Sequence, residues 1–261
     1  MIKLIASDLD ATMVPEGTFD LNPEYYEVIR QLKSRGIRFA AASGRHYTSI
    51  RKLMKPVVDD IVSLAGNGSC VMWQGQPIAL KKISSATYLS ILRQMRTCDP
   101  DIILTDRPEC VYTDSDNEEM FHWIHDGYRV DLFRCSDLEK VEEPILKTSM
   151  FVSSDAAPYA EDLLERYGRE LNVMPAGDHW VDIVAKEVDK GSALRSIQER
   201  FGITREETIA FGDNGNDIGM LKLAGHSYAV ENARDEVKEA ADEVIGPMED
   251  DAVLKVLKGL L

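Results

Sequence analysis

At 261 residues, with 44% hydrophobic and 29% charged side chains, the chain has the composition of an ordinary soluble globular protein, long enough for one large domain or two modest ones. Its 30 basic and 45 acidic residues leave a formal charge of −15, which argues against a nucleic-acid partner and against docking on anionic lipid, since both need a basic surface. The acidity carries no information about a small substrate, because a few local cations or a metal can hold an anion in an acidic protein. Cys70, Cys98, Cys110 and Cys135 show neither CxxC nor Cys/His ligand spacing. MIKLIASDLD runs into a strand without an apolar signal core, and no apolar run nears the ~18 residues of a membrane span. A reduced, cytoplasmic protein is expected.

In chain order, the apolar run 2–7 predicts a buried strand ending at Asp8. Asn22-Pro23 predicts a helix start, Tyr25, Val28, Ile29 and Leu32 follow at helical spacing, and Gly36 stops the helix. A second strand, 37–42, ends at Ser43-Gly44-Arg45, and a helix through Ile50 and Leu53 follows. A third strand, 61–64, ends at Ala65-Gly66-Asn67-Gly68. This alternation predicts a parallel sheet covered on both faces, with Gly-rich and polar residues at the strand ends where such sheets bind ligands.

After a hairpin turning at Gln74-Gly75 the pattern changes. Strands are predicted at 101–105, 109–113, 129–133, 145–152 and 180–184, and helices at 85–97, 117–126 and 157–168. That mixture suggests an α+β module on an antiparallel sheet, inserted at 83–185 into a main domain made of 1–82 and 186–261. The alternation resumes with a helix at 190–201, a strand at 208–211 ending in Gly212-Asp213, a helix at 217–223, a strand at 227–230 and terminal helices.

Four short stretches at these element ends belong together: Asp8-Leu9-Asp10-Ala11-Thr12, Ser43-Gly44-Arg45, Lys190-Gly191 and Gly212-Asp213-Asn214-Gly215-Asn216-Asp217. Asp8 and Asp10 share a face if the backbone stays extended, and two carboxylates 4 Å apart repel by roughly 4 kcal/mol at an effective dielectric of 20. Asp213 would add to that repulsion. A divalent cation removes it, and oxygen-only ligands favour Mg²⁺. Taken singly, the DxD pair reads first as a structural or capping pair, a reading that Asp213 and Asp217 at a second strand end reverse; Ser43-Gly44 reads as a plain N-cap or as an anion site at a helix start. Lys190 at a helix N-terminus opposes the helix dipole, so it is either solvent-exposed or balanced by a phosphate or an aspartate. In 212–217 the glycines allow a tight turn that points Asp213, Asn216 and Asp217 into one cleft.

These four motifs, in this order, resemble those of the haloacid dehalogenase-like superfamily, and the resemblance covers nearly the whole chain. It is closest to the Cof-type phosphatases, as in VDKGSALRSIQERFGITREETIAFGDNGNDIGMLKLAG and YAVENARDEVKEAAD. The resemblance implies a Rossmann-like parallel sheet core with an inserted α+β cap that closes over the substrate and chooses the leaving group. It implies Mg²⁺-dependent hydrolysis of small phosphate esters, sugar phosphates first, through an aspartyl-phosphate. Asp8 would be the nucleophile, and Asp10 the acid and then the base. Asp8, Asp213 and the Asp10 carbonyl would hold Mg²⁺. Ser43, Lys190, Asn216 and the Gly44 amide would hold phosphoryl oxygens. Thr12 would support the site, and Asp217 would orient Lys190 or a water of the metal. Ala11 stands where the family has glycine, which tests whether that position needs positive φ. Asp251 stands where a glycine is also common, away from these residues.

Arg45 and Asn67 follow core strands and either line the cleft or do not. His179-Trp180 either contacts a leaving group or packs. His122 and His125 beside Asp126 mimic a metal site but lack a third ligand. A phosphomutase or phosphotransferase would share the chemistry up to the phospho-aspartate, and a non-catalytic regulatory module would lack an essential residue. A receiver-like domain would keep a stable phospho-aspartate. Oligomeric state is not legible.

Overall fold

A computed structural model describes residues 1–261. Short apolar runs build the strands β1 (Leu4–Asp8), β2 (Arg38–Ala42) and β3 (Ile61–Ala65), and the hairpin β4 (Cys70–Trp73) and β5 (Gln76–Leu80) follows. The middle of the chain carries β6 (Ile102–Asp106), β7 (Val111–Thr113), β8 (Leu132–Arg134), β9 (Lys147–Phe151), β10 (Leu171–Ala176) and β11 (Trp180–Ala185). Three strands remain: β12 (Thr208–Gly212), β13 (His226–Val230) and β14 (Glu243–Ile245). The chain divides into two compact units, Met1–Ala79 with Asp189–Leu261, and Leu80–Val188.

In the first unit the sheet order is β14-β13-β12-β1-β2-β3-β4-β5, parallel from β14 through β3 and antiparallel at β3–β4. β1 pairs with β12 across some two hundred residues of chain, in the register Leu4↔Thr208 to Ser7↔Phe211. The central strands are buried on both faces, hence their continuous apolar runs. Helix α1 (Glu24–Ser34) buries Tyr25, Val28, Ile29 and Leu32, the predicted stripe, and Asn22 Oδ1 accepts from Glu24 N at 3.0 Å. Helix α2 is Tyr47–Leu53.

In the second unit the order is β10-β11-β9-β6-β7-β8, antiparallel except between β7 and β8. Helix α3 (Ser85–Arg96) and a helix at Ala157–Tyr167 cover one face, where Tyr88, Ile91, Met95 and Leu163 pack with Ile103, Met150 and Ile183. Alternation sends Ile102 and Leu104 to the other face, into a smaller cluster with Ile124, Val130 and Leu132. Helix α4 (Glu118–His122), which runs into a wider turn at Trp123–Gly127, sits over that cluster. With the helix between them α5 (Ala157–Tyr167), the remaining helices are α6 (Lys190–Phe201), α7 (Ile218–Leu223), α8 (Asp235–Ala240) and α9 (Ala252–Gly259).

Two strands were not expected from the sequence, β10 and β14. β10 contains Pro175, which argues against a central strand, but β10 is an edge that pairs with β11 alone, where proline is tolerated. β14 is only three residues long, also an edge, and without a recognisable alternation.

Candidate active site

β1 lies between β2 and β12 in the parallel sheet, so its last residue, Asp8, reaches the carboxyl edge where doubly wound sheets leave a crevice. Lys190, the first residue of α6, donates through Nζ to Asp8 Oδ1 and, at 2.6 Å, to Asp217 Oδ1. Lys190 is 1% exposed and Asp217 0%. Two carboxylates therefore balance the cation that the helix dipole disfavours. The second oxygen of Asp217 accepts from the backbone N–H of Asp213 at 3.0 Å and of Asn214 at 3.1 Å, which ties the turn after β12 to the same charge. Glycine is required at 212, where an added Cβ would lie 2.5 Å from Asp217 Cβ.

Burial pushes the Asp8 carboxyl well above its ordinary range; Lys190 opposes this, while Asp217 and Asp213 push it further up. Burial alone would lower Lys190, but Asp217 and Asp8 outweigh it and hold the ammonium above its usual range. Asp213 is also raised, by burial and then by Asp217, with Thr12 opposing through a hydrogen bond from Oγ1 to Asp213 Oδ1 of 2.9 Å. Asp8, Asp213 and Asp217 each offer an oxygen within 4.8 Å of the others. Three carboxylates against one ammonium leave an uncompensated charge, and an all-oxygen donor set of this kind fits a hard divalent cation.

Asp10 departs from the expected geometry. The strand ends at Asp8, Asp10 bridges to Val14, and the chain turns at Ala11, which has φ 56°; Ala11 N donates to Val14 O at 2.8 Å, and Asn232 Nδ2 donates to Ala11 O at 2.7 Å. The two carboxylates take separate partners, Asp8 on Lys190 and Asp10 on Arg45. Asp10 accepts from Arg45 Nε at 2.8 Å and Nη2 at 2.5 Å, from Gly17 N at 3.1 Å and from Ser43 Oγ at 3.3 Å. Burial would raise Asp10, but the hydrogen bonds and charge of Arg45, helped by Gly17 and Ser43, hold it below the ordinary carboxylate range. Arg45 is fixed in turn by Thr18 O at 2.6 Å and by the Phe19 ring, 4.7 Å from its guanidinium carbon. Asp10 thus contributes no carboxylate to the three-aspartate cluster; the role expected of it toward a metal rests on its backbone carbonyl.

Ser43 does not open the helix. The cap of α2 is His46, whose Nδ1 accepts from Thr48 N at 3.2 Å, and the buried Ser43 hydroxyl instead accepts from Arg45 N at 3.0 Å. Asn216 Nδ2 donates to Asn67 Oδ1 at 2.9 Å, and Asn67, with φ 55°, also lies against Gly44. All of these residues belong to the first unit, in three sets of contacts: Asp8, Lys190, Asp217, Asp213 and Thr12; Asp10, Arg45 and Ser43; and Asn216, Asn67 and Gly44. His179 and Trp180 belong to the second, where His179 Nδ1 lies 3.1 Å from Ser154 O and Trp180 packs edge-on to Phe151 at 5.2 Å. His122 and His125 are exposed; His125 lies 2.7 Å from Asp126 and stacks on Phe121. Two residues without a motif also support these contacts: Asn232, and Asp189, whose Oδ1 caps α6 by accepting from Ser192 N at 2.9 Å. An Asn just past a strand and an Asp just before a helix were the available signals.

No helix is long and apolar enough to cross a membrane. A family model described as haloacid dehalogenase-like hydrolase matches residues 5–257. The chain is 28% identical, over all of its length and 96% of the relative's, to a 5-amino-6-(5-phospho-D-ribitylamino)uracil phosphatase of Escherichia coli. It is 24% identical, over 98% of the chain and 95% of the relative, to a Bacillus subtilis phosphatase of the same name. A crystal structure from Eubacterium rectale superposes with a TM-score of 0.93 at 32% identity, covering 100% of this chain and 99% of that one. One from Thermotoga maritima superposes at 0.88 and 28% identity, covering 99% and 97%.

Proposed function

This chain belongs to the haloacid dehalogenase-like hydrolase family and is a phosphatase, and we propose that it hydrolyses small phosphate monoesters through an aspartyl-phosphate on Asp8, with Mg²⁺ as cofactor. The observation that carries the reading is the buried Asp8 held on Lys190 beside Asp213. A carboxylate presented this way attacks phosphorus while its charge is kept in check. Lys190, Ser43, Asn216 and the Gly44 amide would hold the phosphoryl oxygens as charge spreads over them. Asp8, Asp213 and the Asp10 carbonyl would hold Mg²⁺, which when bound supplies positive charge toward the same oxygens. Thr12 would keep Asp213 in place and Asp217 would keep Lys190 in place, in line with their hydrogen bonds.

Asp10 would give a proton to the departing alkoxide and then take one from the attacking water. With Arg45 holding it ionised, the conformation described here suits the second task. Proton donation requires that the Arg45 contact loosen first. Arg45 therefore reads as a partner of Asp10 rather than as a group on the substrate.

The substrate we propose is a phosphate ester of a primary alcohol on a sugar or sugar-alcohol chain, which includes the ribitylaminouracil phosphate for which the two relatives are named. The second unit, Leu80–Val188, would act as the cap that selects among leaving groups. The test is phosphate release from sugar phosphates, the ribitylaminouracil phosphate, nucleotides and an aryl phosphate, with Mg²⁺ and with EDTA. Mg²⁺-dependent release that disappears in Asp8→Asn is expected. Isomerised product in place of free phosphate would move the mutase reading ahead, and release unaffected by EDTA would remove Mg²⁺.

A further inference from the structure

The turn Gly66–Gly68 after β3 carries none of the charged groups of the site, yet it touches three of the segments that build it. Gly66, Asn67 and Gly68 follow one another in the left-handed region, at φ 56°, 55° and 106°. Gly66 N donates to Arg45 O at 2.9 Å and Asn67 N to Ser43 O at 3.0 Å, which fastens the turn to the loop after β2. On the other side Gly68 abuts α6: an added Cβ would lie 2.5 Å from the carbonyl oxygen of Asp189, the neighbour of Lys190. The Asn67 side chain reaches the third segment, where its Oδ1 accepts from Asn216 Nδ2 at 2.9 Å.

The backbone alone does not account for asparagine at 67. Glycine enters the left-handed region without a steric penalty, and the chain uses it at 66 and 68. Asparagine tolerates that region better than most side chains, but not as freely as glycine. The carboxamide that stands there is also packed. A Cβ on Gly44 would lie 3.2 Å from Asn67 Oδ1 and 3.4 Å from Nδ2, so the amide rests against Gly44 in space that a larger residue at 44 would crowd.

Asn216 needs such a brace. It is exposed, on the short turn Gly215–Asp217, and the bond to Asn67 is the one hydrogen bond its side chain makes. An exposed asparagine otherwise moves among several rotamers, and a donor that wanders must be ordered again at each turnover. With one N–H of Nδ2 committed to Asn67 the amide plane is fixed, and the other N–H has no protein partner. Gly44, whose N–H likewise has no protein partner, lies against the same carboxamide.

We infer that Asn67 is a positioning residue for phosphoryl transfer: its carboxamide fixes Asn216 and backs Gly44, so that these two donors meet the phosphoryl group already ordered. Asn67 acts through Asn216 and touches no reacting atom. The inference rests on the reading of Asn216 as a phosphoryl ligand.

The experiment is a double-mutant cycle on the full-length protein with Mg²⁺ and an aryl phosphate, comparing wild type, Asn67→Gly, Asn216→Ala and the double variant. Glycine suits the left-handed backbone at 67, so Asn67→Gly removes the carboxamide without straining the turn and is expected to melt close to wild type. Its kcat is expected to fall about tenfold while KM changes by less than about threefold, as for a donor misplaced in the transition state. In the Asn216→Ala background the same substitution is expected to change kcat by less than about twofold, because the group it positions is gone. Wild-type kcat in Asn67→Gly, or losses that multiply in the double variant, overturns the inference and leaves the phosphatase reading standing. Calorimetric titration with inorganic phosphate and Mg²⁺ needs no turnover. If wild type hydrolyses no ester, a result that overturns the phosphatase reading alone, weaker phosphate binding in both single variants supports the role of Asn67. Equal affinity in Asn67→Gly and wild type, or no phosphate binding in wild type, overturns it.

Discussion

Replacing Lys190 by Met removes the one cation from a cluster of three aspartates. Their closest oxygens lie within 4.8 Å of one another, so each ionised pair repels by at least ~3.5 kcal/mol at an effective dielectric of 20. Wild type offsets this through the two ion pairs of Lys190, which are almost fully enclosed. Without the ammonium the cluster relieves itself by taking up protons, which limits the loss; breaking a buried pair from one side costs about 3–5 kcal/mol. The sign with pH follows. Carboxyls already raised by burial rise further in Lys190→Met, the folded state binds more protons than the unfolded one, and stability falls as pH increases. Urea denaturation of both proteins in EDTA, from pH 5 to pH 8, should therefore show a gap that widens with pH. Mg²⁺ should restore more stability to the variant than to wild type. A variant within ~1 kcal/mol of wild type at pH 8 in EDTA, or a gap independent of pH, would refute the electrostatic account of the site.

Ala11→Gly should raise stability by roughly 0.5–1 kcal/mol, because the left-handed φ of 56° strains alanine by slightly more than glycine loses in chain entropy; a lowered urea midpoint would contradict this. Gly68→Ala should destabilise by more than ~2 kcal/mol and reduce kcat, since at φ 106° the new Cβ would lie 2.5 Å from the carbonyl oxygen of Asp189, the residue before Lys190. Wild-type melting and turnover in that variant would show that the loop is not held against α6. For Arg45→Met the gap to wild type also grows with pH, but over the acid range below ~4. The depressed Asp10 carboxyl contributes stability above its ordinary value of ~4, lost as pH falls through its lowered value. Acid titration should thus narrow the gap between wild type and Arg45→Met, and a constant gap would remove the Asp10–Arg45 pair as its source.

The parallel core and the Asp8, Lys190, Asp213 and Asp217 cluster were legible because each residue sits where a periodic element stops, and four such stops in one order leave little freedom. The orientation of Asp10 was not legible. It depends on a left-handed turn at an alanine and on a guanidinium reaching across from the next strand, neither of which leaves a local pattern. The start of α2 was misplaced for a related reason: Ser43 and His46 are both able caps, and the structure uses Ser43 to hold Arg45. In the second unit, β10 was hidden by a proline that only an edge strand accommodates. The aromatic cluster of Trp123, Phe151 and Trp180 joins residues from α4's continuation, β9 and β11, so no single stretch of sequence displays it.

The pairing of β1 with β12 also has a consequence for synthesis. The stretch Leu80–Val188 can close on itself as soon as it has left the ribosome, whereas β1 must wait for Thr208–Gly212. At translation rates of ~5–20 residues per second that wait lasts on the order of ten seconds or more. During it one side of β1 is an unpaired edge, and the acidic Asp8 at its end has not yet met Lys190 or Asp217. A chain cut short before β12 would lack both the strand and the charges that complete the centre. The cluster around Asp8 thus forms only after translation has passed Asp217.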